Sequence, residues 1–174
     1  MNNLMPIFMK LEDKPCLVVG GGKIALHKIH QLVDSKALVT VVSPKISKSI
    51  YSLPITIINR PYQSSDLKGV KLVIAATDDK EVNQKIFEDS NKRGLLVNVV
   101  DQPNLCSFYM GSIYQDGDLK IAVSTNGKCP SFGTYIKDHI KNLSKGLWGK
   151  ALDDLAIKRE NIIKTLSNYT DKKE

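Results

Sequence analysis

The chain has 174 residues, and its 25 Lys+Arg against 18 Asp+Glu give a formal charge of +7, with 42% hydrophobic and 25% charged residues. This length suits one domain with an appendage or two small domains, and the ordinary globular composition excludes a disordered polyelectrolyte and a collagen-like repeat. No apolar run approaches the roughly 20 residues of a membrane helix, and the start MNNLMPIFMKLEDK lacks a signal peptide's basic and long apolar segments, so a cytoplasmic protein without membrane contact is expected.

In chain order, residues 14–20 (KPCLVVG) read as a buried strand. Residues 24–33 follow as a helix that places Ile24, Leu26, Ile29, Leu32 and Val33 at helical spacing. Strands are expected at 38–42 and at 55–58 after Pro54, and the most apolar run, 70–76, leads into a helix over 81–92 that Gly94 ends before a fifth strand at 95–100. Continuous apolar strands alternating with helices predict a doubly wound α/β unit, a parallel sheet covered on both faces.

After Asp101 the pattern changes. Residues 111–114, the turn Gln115-Asp116-Gly117-Asp118 and residues 119–124 predict a hairpin, with Asp-Gly supplying positive φ. Pro130 opens a helix to about Leu143, residues 148–169 form a second amphipathic helix, and 170–174 read as a solvated tail. The expected division is the α/β unit over 1–112, a dimerisation segment over 113–145 and a C-terminal helical segment over 146–174. An isolated hairpin needs cover for its edges, and a second copy of the chain is the simplest supply, so a homodimer is expected.

The chemistry begins at Gly20-Gly21-Gly22-Lys23-Ile24-Ala25, which fits G-x-G-x-x-A between the first strand and the first helix. One glycine makes the tight turn, another admits a pyrophosphate to the backbone, and Ala25 lets the helix close on the sheet. The second strand ends in Ser43-Pro44-Lys45 where an acidic ribose-binding residue is usual. Serine suits a ribose hydroxyl and Lys45 a 2′-phosphate, so NAD and NADP both stay open at this position. Thr77 and Asp78 end the fourth strand on the same carboxyl edge, although Asp78-Asp79 also reads as a helix cap. Asp101 follows the fifth strand, where a proton acceptor would serve hydride chemistry, or where a turn residue simply precedes Pro103.

Cys16, Cys106 and Cys129 are an odd set without CxxC spacing, which argues against a disulfide framework and a four-thiolate zinc site. His27 and His30 share a helix face without a third ligand nearby, and His139 stands alone, so no metal site is expected. The positive charge calls for an anionic partner, but the basic residues are scattered and aromatics make up 6%, which speaks against nucleic acid.

Pro6-Ile7-Phe8, Gly20-Gly21-Gly22, Arg60-Pro61-Tyr62, Ala75-Ala76-Thr77-Asp78-Asp79 with Val82-Asn83, Asn98-Val99-Val100-Asp101, Cys106-Ser107-Phe108 and Ala122-Val123-Ser124-Thr125-Asn126-Gly127-Lys128 stand in one order over about 145 residues. Together they resemble the precorrin-2 dehydrogenase family of sirohaem synthesis. The resemblance implies NAD-dependent oxidation of precorrin-2 to sirohydrochlorin, a homodimer built through the segment after the dinucleotide fold, and an active site in the dimer cleft. Some members also insert ferrous iron.

By this resemblance Asp101 corresponds to the family's essential aspartate, and Lys23, Ile24, Pro44 and Lys45 fall where the cofactor is held. Thr125 stands where the family has an active-site serine, so a hydroxyl persists there. Gly111 and Cys129 replace a common proline and serine. Lys128, with Lys137, Lys141 and Lys145, is a candidate for the carboxylates of a tetrapyrrole substrate. The alternatives are a non-catalytic, dimeric NAD(H)-sensing module and a bifunctional dehydrogenase and ferrochelatase.

Overall fold

The computed structural model describes residues 4–170, with side chains described through residue 165. Of the predicted solvated tail over 170–174, the part from Asp171 onward lies outside the described residues, and Thr170 is instead the last residue of the final helix. The chain divides into two compact units, one ending at Tyr109 and the other beginning at Met110.

The first unit is built on five parallel strands in the order β3-β2-β1-β4-β5: β1 (Pro15–Val19), β2 (Leu38–Val42), β3 (Thr56–Ile58), β4 (Leu72–Ala75) and β5 (Leu96–Val99). All of β4 and the last four residues of β1 are buried. That explains why these strands read as unbroken apolar runs rather than alternating ones. Helices α1 (Lys23–Val33) and α2 (Lys80–Asn91) are the crossovers that parallel strands require. Leu17, Val19, Val42, Leu67, Val73, Ala75, Ile86, Val97 and Val99 share one core.

One expectation needs correction in detail. Ile24, counted with the packing positions of α1, is 48% exposed, and the buried side chains are Ala25, Ile29 and Leu32. Near its start the helix closes on the sheet, and the small alanine is the residue that fits there. Short 3₁₀ turns at Lys48–Ile50, Ser64–Leu67 and Pro103–Leu105 carry no apolar period of their own, and periodicity does not reveal them.

The second unit holds an antiparallel hairpin, β6 (Ser112–Asp116) with β7 (Leu119–Val123), followed by α3 (Pro130–Ser144) and α4 (Trp148–Thr170). The four-residue turn expected at 115–118 is a two-residue connection, because Asp116 pairs with Leu119. Only Gly117 takes the positive φ, at 57°. Asp116 serves another element instead. Its Oδ2 accepts hydrogen bonds from the Tyr114 hydroxyl and from the backbone N–H of Trp148 and Gly149, each at 3.1 Å. It therefore caps the start of α4 with a carboxylate, which suits the positive end of a helix.

Candidate functional site

Strand order 3-2-1-4-5 places its topological switch between β1 and β4, where ligands of open α/β sheets bind outside the carboxyl ends. The glycine turn sits at that point. Gly20 has φ +125°, and a Cβ there would stand 2.2 Å from the Ala76 carbonyl oxygen; at Gly21 it would stand 2.1 Å from that of Lys45. These two glycines let the end of β1 lie against the ends of β4 and of the β2 loop at once. The Ser47 N–H closes the arrangement on the Gly21 carbonyl at 2.9 Å. The fold thus gathers Gly20, Gly21, Gly22, Lys45 and Thr77 at one edge.

Gly22 differs from its neighbours, since a Cβ there would meet nothing within 4 Å. It is the N-cap of α1, and no side chain caps that helix end. Open space over uncapped N–H groups at the positive end of a helix is the donor set that a dinucleotide pyrophosphate requires, so these residues fit the cofactor. Lys23, Ile24, Pro44 and Lys45 are exposed around this turn. Ser43 is buried, and its hydroxyl serves its own loop by donating to the Lys45 carbonyl at 2.8 Å.

At the end of β4 the cap is Asp79, whose Oδ1 accepts from Glu81 N–H at 2.9 Å and Val82 N–H at 3.1 Å. Asp78 is exposed beside it. The Thr77 hydroxyl lies 2.7 Å from Asn83 Oδ1, and Asn83 Nδ2 returns a bond to the Thr77 carbonyl at 2.9 Å. Thr77 is thereby fixed to α2, and its position at the switch point owes little to loop freedom.

Asp101 is exposed and lies in a turn closed by Gln102 N–H on the Val99 carbonyl at 3.3 Å. Its φ of 58° lies in the left-handed region, which aspartate tolerates better than most side chains. Cys106, to which periodicity assigns no role, holds this turn. Its Sγ donates to the Val99 carbonyl at 3.1 Å and accepts from Val99 N–H at 3.3 Å and from Asn98 Nδ2 at 3.5 Å. Buried Asn98 also donates to the Phe108 carbonyl at 2.8 Å, and Ser107 Oγ accepts from Val97 N–H at 2.8 Å. Side chains of the 105–108 segment thus occupy the free edge of β5 and fix the strand that carries Asp101. Burial pushes the Cys106 thiol up, against the pull of Val99 N–H and of Lys28.

Lys28 also escaped the pattern reading. It is half-buried on α1, and its electrostatic neighbours are Asp101 and Cys106; burial disfavours its charge and lowers its pKa, which Asp101 partly offsets.

Thr125 and Lys128 belong to the second unit. The Thr125 hydroxyl accepts from Cys129 N–H at 3.4 Å before α3, and its carbonyl accepts from Lys128 N–H at 3.1 Å. Lys128 is exposed. Among the described residues no group of three or more His, Cys, Asp or Glu side chains is placed to hold a metal ion, and no helix is long and apolar enough to cross a membrane.

Residues 7–112 match a family model described as NAD(P)-binding, and residues 116–143 match one described as the central part of a sirohaem biosynthesis protein. The chain is 42% identical over 150 residues to the sirohaem synthase of Methylobacillus flagellatus, covering 84% of this chain and 32% of that protein. It is 34% identical over 175 residues to the sirohaem synthase of Ruthia magnifica, covering 98% of this chain and 37% of that one. It thus spans about a third of the length of these curated relatives. A solved structure named SirC, precorrin-2 dehydrogenase, superposes with a TM-score of 0.73 at 25% identity, over 86% of this chain and 76% of that one. The glycine turn, the sheet order and the match over residues 7–112 lead to one assignment: the chain belongs to the NAD(P)-binding family whose model it matches, and it is similar to a precorrin-2 dehydrogenase and to part of the sirohaem synthases.

Proposed function

We propose that this chain oxidises precorrin-2 to sirohydrochlorin with NAD as the electron acceptor, in the cytoplasm. The observation that carries the reading is the likeness to a precorrin-2 dehydrogenase over most of the chain, supported by Gly22 open at the switch point and Asp101 held on the same edge of the same sheet. Dehydrogenation removes one hydride and one proton, and NAD⁺ supplies the hydride acceptor when bound. Gly20, Gly21 and Gly22, with Lys23, Ile24, Ser43, Pro44, Lys45, Thr77 and Asp78, would form the cofactor's surroundings. Asp101 would accept the proton or orient the macrocycle.

Thr125 and Lys128 are the proposed substrate contacts of the second unit, with the +7 charge attracting a polycarboxylate. We assign 1–112 to dinucleotide binding, 113–145 to dimerisation and 146–174 to a helical extension. The homodimer is supported by apolar side chains left open on β6 and α3, namely Ile113 at 38% exposure, Phe132 at 55%, Tyr135 at 63% and Leu143 at 60%.

The test is Asp101→Asn, which preserves volume and removes the proton acceptor. General-base assistance is worth about 10²- to 10⁴-fold, so kcat for anaerobic NADH formation should fall by that order while NAD affinity and the unfolding temperature hold. A folded, NAD-binding variant with near wild-type turnover would return Asp101 to the role of a turn residue.

A further inference from the structure

Strands β1 and β2 run parallel with Val19 opposite Val42, so both end at the edge where the glycine turn begins. The segment after β2 lies directly on that turn. A Cβ on Gly21 would stand 2.1 Å from the Lys45 carbonyl oxygen and 2.8 Å from the Ile46 Cα, and Ser47 N–H donates to the Gly21 carbonyl at 2.9 Å. In a dinucleotide fold the end of the second strand meets the adenosine ribose. A carboxylate there binds the 2′-hydroxyl of NAD and repels the 2′-phosphate of NADP.

This chain carries no such carboxylate, since no Asp or Glu stands between Asp34 and Asp66. Ser43 does not replace it. Its buried hydroxyl is engaged within the loop, donating to the Lys45 carbonyl at 2.8 Å and accepting from Lys45 N–H at 3.3 Å. The charged residues of that stretch are all cations: Lys36, Lys45, Lys48 and Arg60. Lys36 pairs with Glu12 and Arg60 with Asp66, whereas Lys45 and Lys48 are exposed, and among the described residues neither forms an ion pair. A cation with donors open to solvent thus stands where an acid would exclude a 2′-phosphate.

We propose that the cofactor site takes NADP as well as NAD, with the Lys45 ammonium receiving the 2′-phosphate. The proposal rests on the dinucleotide site read at Gly20, Gly21 and Gly22, and is independent of which substrate is oxidised. Lysine binds phosphate as a point charge on a flexible stem, so an exposed Lys45 needs no fixed geometry before the ligand arrives. Lys48, at the start of the short 3₁₀ turn, adds positive potential to the same loop. The 2′-phosphate belongs to the adenosine half, so the hydride-accepting nicotinamide is the same in both cofactors.

The experiment is calorimetry of the full chain with NAD and with NADP, read as the ratio of the two dissociation constants, which cancels effects on the part that the cofactors share. For the wild type the two constants should lie within about tenfold of each other. A hydrogen bond between charged groups is worth about tenfold in affinity, so Lys45→Met should shift the ratio toward NAD by that order. Lys45→Glu adds repulsion and should shift it by about a hundredfold, while Lys45→Arg should keep the wild-type ratio. Lys71→Met removes an equal charge at the opposite edge, where Lys71 N–H bonds the Pro15 carbonyl at the start of β1, and should leave the ratio in place.

Lys45 and Lys71 are both exposed, so the unfolding temperature of each variant should hold. A wild type that binds NAD but disfavours NADP by more than about a hundredfold would overturn the proposal. So would a ratio unmoved by Lys45→Glu, or one moved as far by Lys71→Met. Binding of both cofactors with the expected shifts, but no oxidation of precorrin-2 by either, would sink the dehydrogenase reading and leave the NADP site standing. A wild type that binds neither dinucleotide would overturn both.

Discussion

At the residue scale, Asp101 occupies a backbone conformation that glycine adopts more easily, at a cost on the order of 1 kcal/mol. The thiol of Cys106 and the amide of Asn98 hold the strand end that imposes it. The place of Asp101 at a strand end was legible in the sequence, because an apolar run stops there. The clamp was not, since Cys106 acts through main-chain atoms that no periodicity reports. Lys28 was passed over for a related reason: a charge inside an apolar stripe reads as a gap in the pattern.

The three thiols are an independent check on this geometry. Cys16 is buried, and burial pushes its thiol up to about 11. Cys129 is exposed and lowered by Ser131 Oγ and Phe132 N–H. Because the thiolate is the reactive form, alkylation of the native protein should label Cys129 first, Cys106 slowly and Cys16 only on unfolding. Peptide mass mapping reads the order, and early labelling of Cys106 would mean that its contacts at the end of β5 are not formed.

At the scale of elements, β1 and β4 were legible because each buries a continuous run, and α1 because its buried Ala25, Ile29 and Leu32 recur at helical spacing. The hairpin was legible as a hairpin, while its turn is two residues shorter than the expected four. Asp116 looks like a turn residue until α4 is seen to begin on its carboxylate. The 3₁₀ turn at Ser64–Leu67 is likewise held by polar contacts that spacing does not show. Asp66 Oδ2 accepts from Arg60 at 2.9 Å and from Gln63 N–H at 2.9 Å.

Arg60 holds the Asp66 carboxyl below its ordinary range, and Gln63 N–H adds to this. A carboxylate with a lowered folded-state pKa stabilises above its unfolded value, near about 4, and that stabilisation is lost as pH falls through the lower folded value. Asp66→Asn should therefore lower Tm at neutral pH, and the gap to wild type should narrow below about pH 4. A gap that stays constant into acid would show that the carboxylate's charge contributes nothing.

At the scale of the molecule, one sheet edge gathers the open, uncapped helix start at Gly22 and the carboxylate of Asp101. A second unit leaves apolar side chains exposed. A dinucleotide sensor shares the open helix start and the exposed apolar face, and has no use for a proton acceptor at Asp101. The difference is turnover. The most direct measurement mixes the purified protein anaerobically with precorrin-2 and NAD and follows both products by absorbance. The account predicts that NADH and sirohydrochlorin grow together, mole for mole, over many turnovers; NAD binding with no NADH formed from precorrin-2 would contradict it.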